Sequence, residues 1–133
     1  MTTHQFPLRI YYEDTDAGGI VYHANYLKFA ERARTEFIRD IGISNHDLKN
    51  DHNVLVVVRH MDIDYSTSAY LEDDLIVESA VTDIGRSSFT MTQIVKRDGL
   101  ACATMIVKLV CIDKDSGRPV RIPEILKDKI KND

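Results

Sequence analysis

The chain predicts an α+β domain: one long amphipathic helix, five antiparallel strands and a short C-terminal helix. Apolar residues recur at three- and four-residue steps from about Tyr22 to Ile41, whereas residues 54 to 112 alternate with the two-residue period of strands. Short turn signals separate those strands, which is the mark of hairpins and not of parallel crossovers. With 133 residues, 44% of them hydrophobic, and no repeat or linker-like stretch, the whole of 1–133 reads as a single domain.

Taken in order, Phe6 to Tyr12 reads as a strand in which Leu8, Ile10 and Tyr12 share a face. The helix follows, with Tyr26, Ala30, Ala33, Phe37 and Ile41 as its apolar stripe and Leu27 and Ile38 widening it. Lys28, Arg32, Glu36 and Arg39 decorate the other side, Arg32 and Glu36 stand four residues apart, and Gly42 suits the left-handed position that ends a helix. Residues 44 to 53 read as a polar loop. Val54 to Val58 is unbroken apolar, after which Met61, Ile63 and Tyr65 alternate with His60, Asp62 and Asp64 in a long strand that leaves the core at one end. Leu75, Val77 and Val81 alternate in the next strand and Phe89, Met91 and Val95 in the one after, with a turn at Gly85-Arg86 between them. Asp98-Gly99 is a tight-hairpin dipeptide. Leu100 to Ile112 is apolar on both parities, as a central strand or one buried on both faces would be. Pro123 opens a short helix with Ile125, Leu126 and Ile130 as its apolar side.

A net charge of −4 with mixed signs provides no basic face, which argues against nucleic-acid binding. No window approaches a membrane span and the first residues lack a signal-peptide core, so cytoplasm is the expected compartment. Cys102 and Cys111 then read as core residues and not as a disulfide. The five histidines have no ligand spacing, and no metal or other cofactor is expected. One helix covers one face of such a sheet, so the remaining apolar surface predicts at least a homodimer.

The chemistry concentrates in Tyr-Tyr-Glu-Asp-Thr-Asp-Ala-Gly-Gly-Ile-Val-Tyr-His-Ala-Asn-Tyr, Tyr11 to Tyr26. It brings carboxylates, a glycine pair and a histidine to the start of the helix. Unpaired backbone N–H groups beside acid/base side chains suit a reaction that develops negative charge on an oxygen. Taken alone, Asp16 reads as a turn or capping residue, His23 as a structural hydrogen-bonding histidine and Tyr12 as a packed strand aromatic. Glu13 and Asp14 read as solvated or loop-shaping, and Asn25 as a helix cap.

That segment, followed by Phe-Ala-Glu-Arg-Ala-Arg-Thr-Glu from Phe29 to Glu36, resembles the hotdog-fold thioesterases of the 4-hydroxybenzoyl-CoA type, and most nearly the Tol-Pal-associated (YbgC-type) acyl-CoA thioesterases. The likeness runs from about residue 8 to 113, dense in residues 11 to 36 and topological beyond. It implies a five-stranded antiparallel sheet wrapped around the long helix, a homodimer or homotetramer, and hydrolysis of an acyl-CoA to free acid and CoA. It places the catalytic carboxylate on Asp16, as nucleophile or general base, with His23 at the helix entry and Tyr12 beside the pair. Gly19 lets the backbone approach the substrate, and the N–H groups around Tyr22 and His23 form the oxyanion site. In Gly85-Arg86-Ser87-Ser88, Arg86 and then Ser87 are the candidates for the coenzyme's phosphates, across the dimer interface. An ordinary hairpin turn with a solvated arginine is the alternative there.

A hydratase on the same fold is disfavoured because Asp16 and His23 stand seven residues apart with Ala-Gly-Gly between them. The other rival is a binding or adaptor protein for acyl carrier protein or envelope-associated partners, which loss of the catalytic carboxylate would have favoured. Asp16 is present.

Overall fold

The computed structural model of the protein describes residues 3–132. Five antiparallel strands, β1 (His4–Arg9), β2 (Val54–Tyr65), β3 (Asp74–Ile84), β4 (Ser88–Arg97) and β5 (Leu100–Asp113), form one sheet in the order β1-β3-β4-β5-β2. Helix α1 (Asn25–Asp40) packs mainly against β1, β3 and β4, and α2 (Asn45–His52) packs against β2. The C-terminal helix α3 (Glu124–Asn132) buries Leu126 and Ile130 and leaves Ile125 out.

Register places the buried residues on one face. Phe6 faces Val77, Val77 faces Val95, Val95 faces Ala103, and Val107 lies between Met91 and Met61. Against them α1 sets Tyr26, Phe29, Ala30, Ala33 and Phe37, all buried. Ala30 and Ala33 let the helix backbone approach the sheet, and Phe29 and Phe37 fill the space on either side. Register shifts in β2, β3 and at the β4–β5 end interrupt the ladders. Irregularities of this kind raise the local twist, which curls a sheet around a helix.

The helix stop follows the expected chemistry. Gly42 sits at φ +93°, its N–H donates to Arg39 O at 3.0 Å, and Ile43 N–H reaches back to Ile38 O at 3.1 Å. Both bonds of a Schellman cap are present. Asp98 and Gly99 take φ +52° and +81° in the two-residue β4–β5 turn.

Four further expectations are corrected. The first strand ends at Arg9, and residues 12–14 turn as a short 3-10 helix that leaves Tyr12 81% exposed; Ile10 alone continues into the core. Residues 44 to 53 are not a loop. Ser44 Oγ accepts the Asp47 N–H at 3.0 Å, Leu48 is fully buried, and Asn53 closes α2 in the left-handed region. In α1, Leu27 is 40% exposed and Phe29 takes the core position. Glu36 lies nearest Arg39, at 4.0 Å, one turn on, and not Arg32. β5 is interior to the sheet, as its apolar run predicts; of the residues on its second face Cys102 and Val110 are buried and Leu100 and Ile106 exposed.

Candidate active site

The segment between β1 and α1 crosses one end of the sheet and is tied down throughout. Asp14 does most of this. Its carboxylate accepts the Tyr11 N–H at 2.8 Å, and its carbonyl accepts both the Tyr22 N–H at 3.0 Å and Asn25 Nδ2 at 2.8 Å. Thr15 bridges Val21 and Ile20 bridges Tyr70, so the segment doubles back on itself and lies against residues 66–73. Those residues are anchored in turn. Tyr26 Oη accepts the Ala69 N–H, Val21 N–H donates to Ala69 O, and Arg97 donates to Ser68 O and to Asp73 while standing over the Tyr70 ring at 5.2 Å.

At the tip, Asp16 is exposed and faces its own turn. Its Oδ1 accepts the Gly18 N–H at 2.9 Å, and its carbonyl accepts the Gly19 N–H at 3.0 Å. A Cβ at Gly18 would stand 3.3 Å from Asp16 Oδ1, and Gly19 has φ +81°, so each glycine meets a separate demand of this turn. The carboxylate is thus oriented but not neutralised, since no Lys, Arg or His lies within ion-pair distance among the described residues.

His23 precedes α1 and is exposed. Its ring lies 4.6 Å from the Tyr22 ring and 6.1 Å, edge-on, from Tyr65, whose hydroxyl donates to the His23 carbonyl at 3.0 Å. Tyr65 also meets Tyr26 edge-on at 5.7 Å. Burial pushes the Tyr26 phenol up, opposed by the Ala69 hydrogen bond, so it stays protonated and serves as a wall and anchor. His23, Tyr26 and Tyr65, with Val21 and Ser66, Thr67 and Ser68, line a cleft of about 230 Å³. Asp16 lies outside that lining. A larger open cleft of about 730 Å³, bounded by Arg9, Tyr11, Tyr12, Glu13, Leu71 and Glu72, contains neither Asp16 nor His23.

The structure therefore brings Asp16, Gly19, Tyr22 and His23 together on one tied segment, sets Tyr12 on the neighbouring cleft, and separates Arg86 and Ser87 from all of them. The latter two form the β3–β4 turn at the opposite end of the sheet. There Arg86 O accepts the Ile122 N–H and Ser87 O accepts the Cys111 N–H, at 2.9 and 2.8 Å. Two details depart from expectation. The Tyr22 N–H is already bonded to Asp14 O, so of the two N–H groups expected to be free there only that of His23 has no backbone acceptor among the described residues. Asn25 does not cap the helix; it is the first helical residue, and its side chain reaches back to the loop. Sequence reasoning missed Tyr65 as a neighbour of His23. Its only signal was a tyrosine closing a long strand just before Ser-Thr-Ser.

Residues 11–130 match the model of the thioesterase-like superfamily. The chain belongs to that family. It is 41% identical over 122 residues to the acyl-CoA thioesterase YbgC of Haemophilus influenzae, covering 92% of this chain and 90% of that protein. It is 38% identical over 131 residues to the acyl-CoA thioester hydrolase YbgC of Escherichia coli, covering 98% and 97%. Among solved structures, a probable thioesterase from Bartonella henselae superposes with a TM-score of 0.88 at 35% identity, over 92% of this chain and all of that one. The strand order, the wrapped helix and this likeness make the fold a hotdog.

Proposed function

We propose that the protein hydrolyses acyl-CoA thioesters to free acid and CoA, with Asp16 supplying the attack. The observation that carries this is the Asp16 carboxylate: exposed, held through Oδ1 by the Gly18 N–H, and fixed on a loop that runs into the start of α1. As nucleophile it would form a mixed anhydride with the acyl group and release the thiolate, after which water cleaves the anhydride. As general base it would take a proton from the water that attacks the thioester carbonyl. Both routes put negative charge on the carbonyl oxygen, which the His23 N–H, at the positive end of α1, stabilises. The His23 imidazole protonates the leaving thiolate. Gly19 gives the acyl carbon room, and the Tyr22 ring borders the approach. Tyr12 is given no step, because its ring points into solvent.

Coenzyme A carries phosphates, and the candidates to meet them, Arg86 and Ser87, sit across the sheet from Asp16. The reading is therefore a homodimer in which each site takes Asp16 from one copy and Arg86 with Ser87 from the other. No helix among the described residues is long and apolar enough to cross a membrane. Two buried, free cysteines, one with its thiol pushed up to about 11 by burial, fit the reducing cytoplasm.

The test is thiol release from a panel of acyl-CoAs, acetyl to palmitoyl plus benzoyl, by the protein and by Asp16→Asn. Turnover should fall by about 10²–10⁴-fold in the variant. Equal rates would move the chemistry away from Asp16, and no turnover of any thioester would leave the adaptor reading.

A further inference from the structure

A second cavity lies between α1 and the sheet, about 350 Å³ in volume, well beyond the helix N-terminus. Its sheet side is apolar: Val56, Val57 and Val58 of β2, with Phe89, Met91 and Leu109. Its helix side carries Glu31, Arg34, Thr35 and Ile38. The volume falls in the range of small-molecule sites, roughly 300–1,000 Å³.

Arg34 is the unusual member. Its Nη1 donates to Gln93 Oε1 at 3.0 Å, and no carboxylate lies within 4.0 Å of it among the described residues. Gln93 is fully buried and fixed by its other end, where Nε2 donates to Ala30 O and to Ser79 Oγ, both at 3.0 Å. The guanidinium is thereby held in position by a neutral group and not by an ion-pair partner. Burial accordingly lowers the Arg34 pKa, with Glu31 opposing that shift. A planar cation held this way beside an apolar wall favours a carboxylate ligand attached to an apolar body.

The cavity lies further along the helix that begins at the candidate active site. Leu27, Glu31, Arg34 and Ile38 recur at four- and three-residue steps, so one stripe of α1 runs from the helix start to the cavity. On the sheet, Met61 and Ile63 of β2 are only partly buried, and Tyr65 stands beside His23. From Asn25 to Arg34 the helix rises about 14 Å. An acyl chain of medium length spans that.

We propose that this cavity receives the distal end of the acyl group, and that Arg34 makes it select chains ending in a carboxylate over equally long chains ending in a methyl. The proposal rests on the thioesterase reading for its location in the reaction, and Glu31 at the rim sets a limit on how strongly an anion is preferred.

Two arms test it separately. In the first, binding of decanoate and of 1-decanol is measured by calorimetry, which needs no turnover. Decanoate should bind about 10–100-fold tighter than the alcohol, as expected for a charge-assisted pair. Arg34→Met should bring the two within about twofold, and Arg34→Lys should keep part of the preference. Equal binding by the native protein, or an unchanged ratio in Arg34→Met, overturns the proposal. Because Arg34→Met also strips Gln93 of its donor and can fail to fold, Glu31→Gln serves as a second variant at an exposed position. It must tighten decanoate, and an unchanged or weaker affinity overturns the proposal. In the second arm, kcat/KM for decanedioyl-CoA is compared with that for decanoyl-CoA. The diacid thioester should be favoured about tenfold or more, and the preference should vanish in Arg34→Met; equal rates overturn the specificity claim. If neither thioester is hydrolysed, the thioesterase reading fails, while the binding arm still judges Arg34.

Discussion

At the end of the sheet where β3 begins and β4 turns into β5, Glu13, Asp14, Asp16, Glu72, Asp73 and Asp74 crowd together, whereas the β3–β4 turn at the opposite end presents Arg86 beside two small hydroxyl residues. The cations of the acidic end are engaged. Arg9 lies 2.9 Å from Asp74 and Arg97 lies 3.4 Å from Asp73, and each guanidinium is held above its ordinary pKa by that carboxylate. β3 has 11 residues, so the ends are separated by roughly 30 Å. One copy of the chain therefore holds the proposed acid–base groups where a polyphosphate is least welcome. The arginine that would welcome it stands at the far end, and the proposed homodimer, with its copies antiparallel, would bring unlike ends together.

Complementation gives that comparison its sharpest test. Asp16→Asn and Arg86→Ala should each be impaired alone, the second mainly through KM, by about tenfold or more for one charge-assisted contact. Mixed and allowed to exchange subunits, they should recover activity, because the mixed dimer contains one site with both residues intact. Wild-type KM in Arg86→Ala would reduce that arginine to a solvated turn residue. No recovery on mixing would put both residues in the same copy's site or remove the dimer.

Tyr65→Phe probes the acidic end alone. It removes the hydroxyl that fixes the His23 carbonyl and leaves the ring in its edge contacts with His23 and Tyr26. A single hydrogen bond of this kind contributes about 0.5–1.5 kcal/mol. Because Tyr65 is half exposed, the thermal midpoint should move little while kcat falls a few-fold. A large loss of stability with unchanged kcat would make Tyr65 a packing residue.

The contrast between the ends also explains what the sequence revealed. The features it announced are local. The α1 stripe, the Gly42 stop and the Asp98-Gly99 turn each depend on residues within a turn or two of one another, so periodicity and backbone preference expose them. Asp16 and His23 became candidates through a contiguous motif. The Arg97 clamp on Ser68 and Asp73, the Tyr65 bond to His23 and the Arg34–Gln93 pair join residues 24 to 59 positions apart, and nothing in the spacing marks them. α2 was missed because one buried leucine among seven polar residues produces no stripe, although Ser44 three residues before Asp47 was a cap in plain sight. Tyr12 was misplaced because strand alternation carries on through a position where the chain has already left the sheet.

The smallest expected effect lies at the basic end and is a matter of pH. Asp113 closes β5 and shapes the 113–118 turn. Its carboxylate accepts the Ser116 N–H at 2.7 Å, the Asp115 N–H at 3.1 Å and Asn53 Nδ2 at 2.9 Å, and the Ser116 bond is the main reason its pKa is lowered. A carboxyl with a depressed folded-state pKa stabilises fully above its unfolded value, about 3.9, and loses that contribution as pH falls through the folded value. Asp113→Asn should therefore be less stable than the native protein near neutrality, and the gap should narrow on acidification below about pH 4. Thermal midpoints of the two proteins across that range check it, and a gap that stays constant would mean that Asp113 acts through its shape and not its charge. The same turn leads the chain back to Ile122, whose N–H holds the Arg86 carbonyl. If Arg86 meets the coenzyme, Asp113→Asn should also raise KM for long and short acyl-CoAs alike while leaving kcat in place, since the acidic end of the molecule does not sense the change.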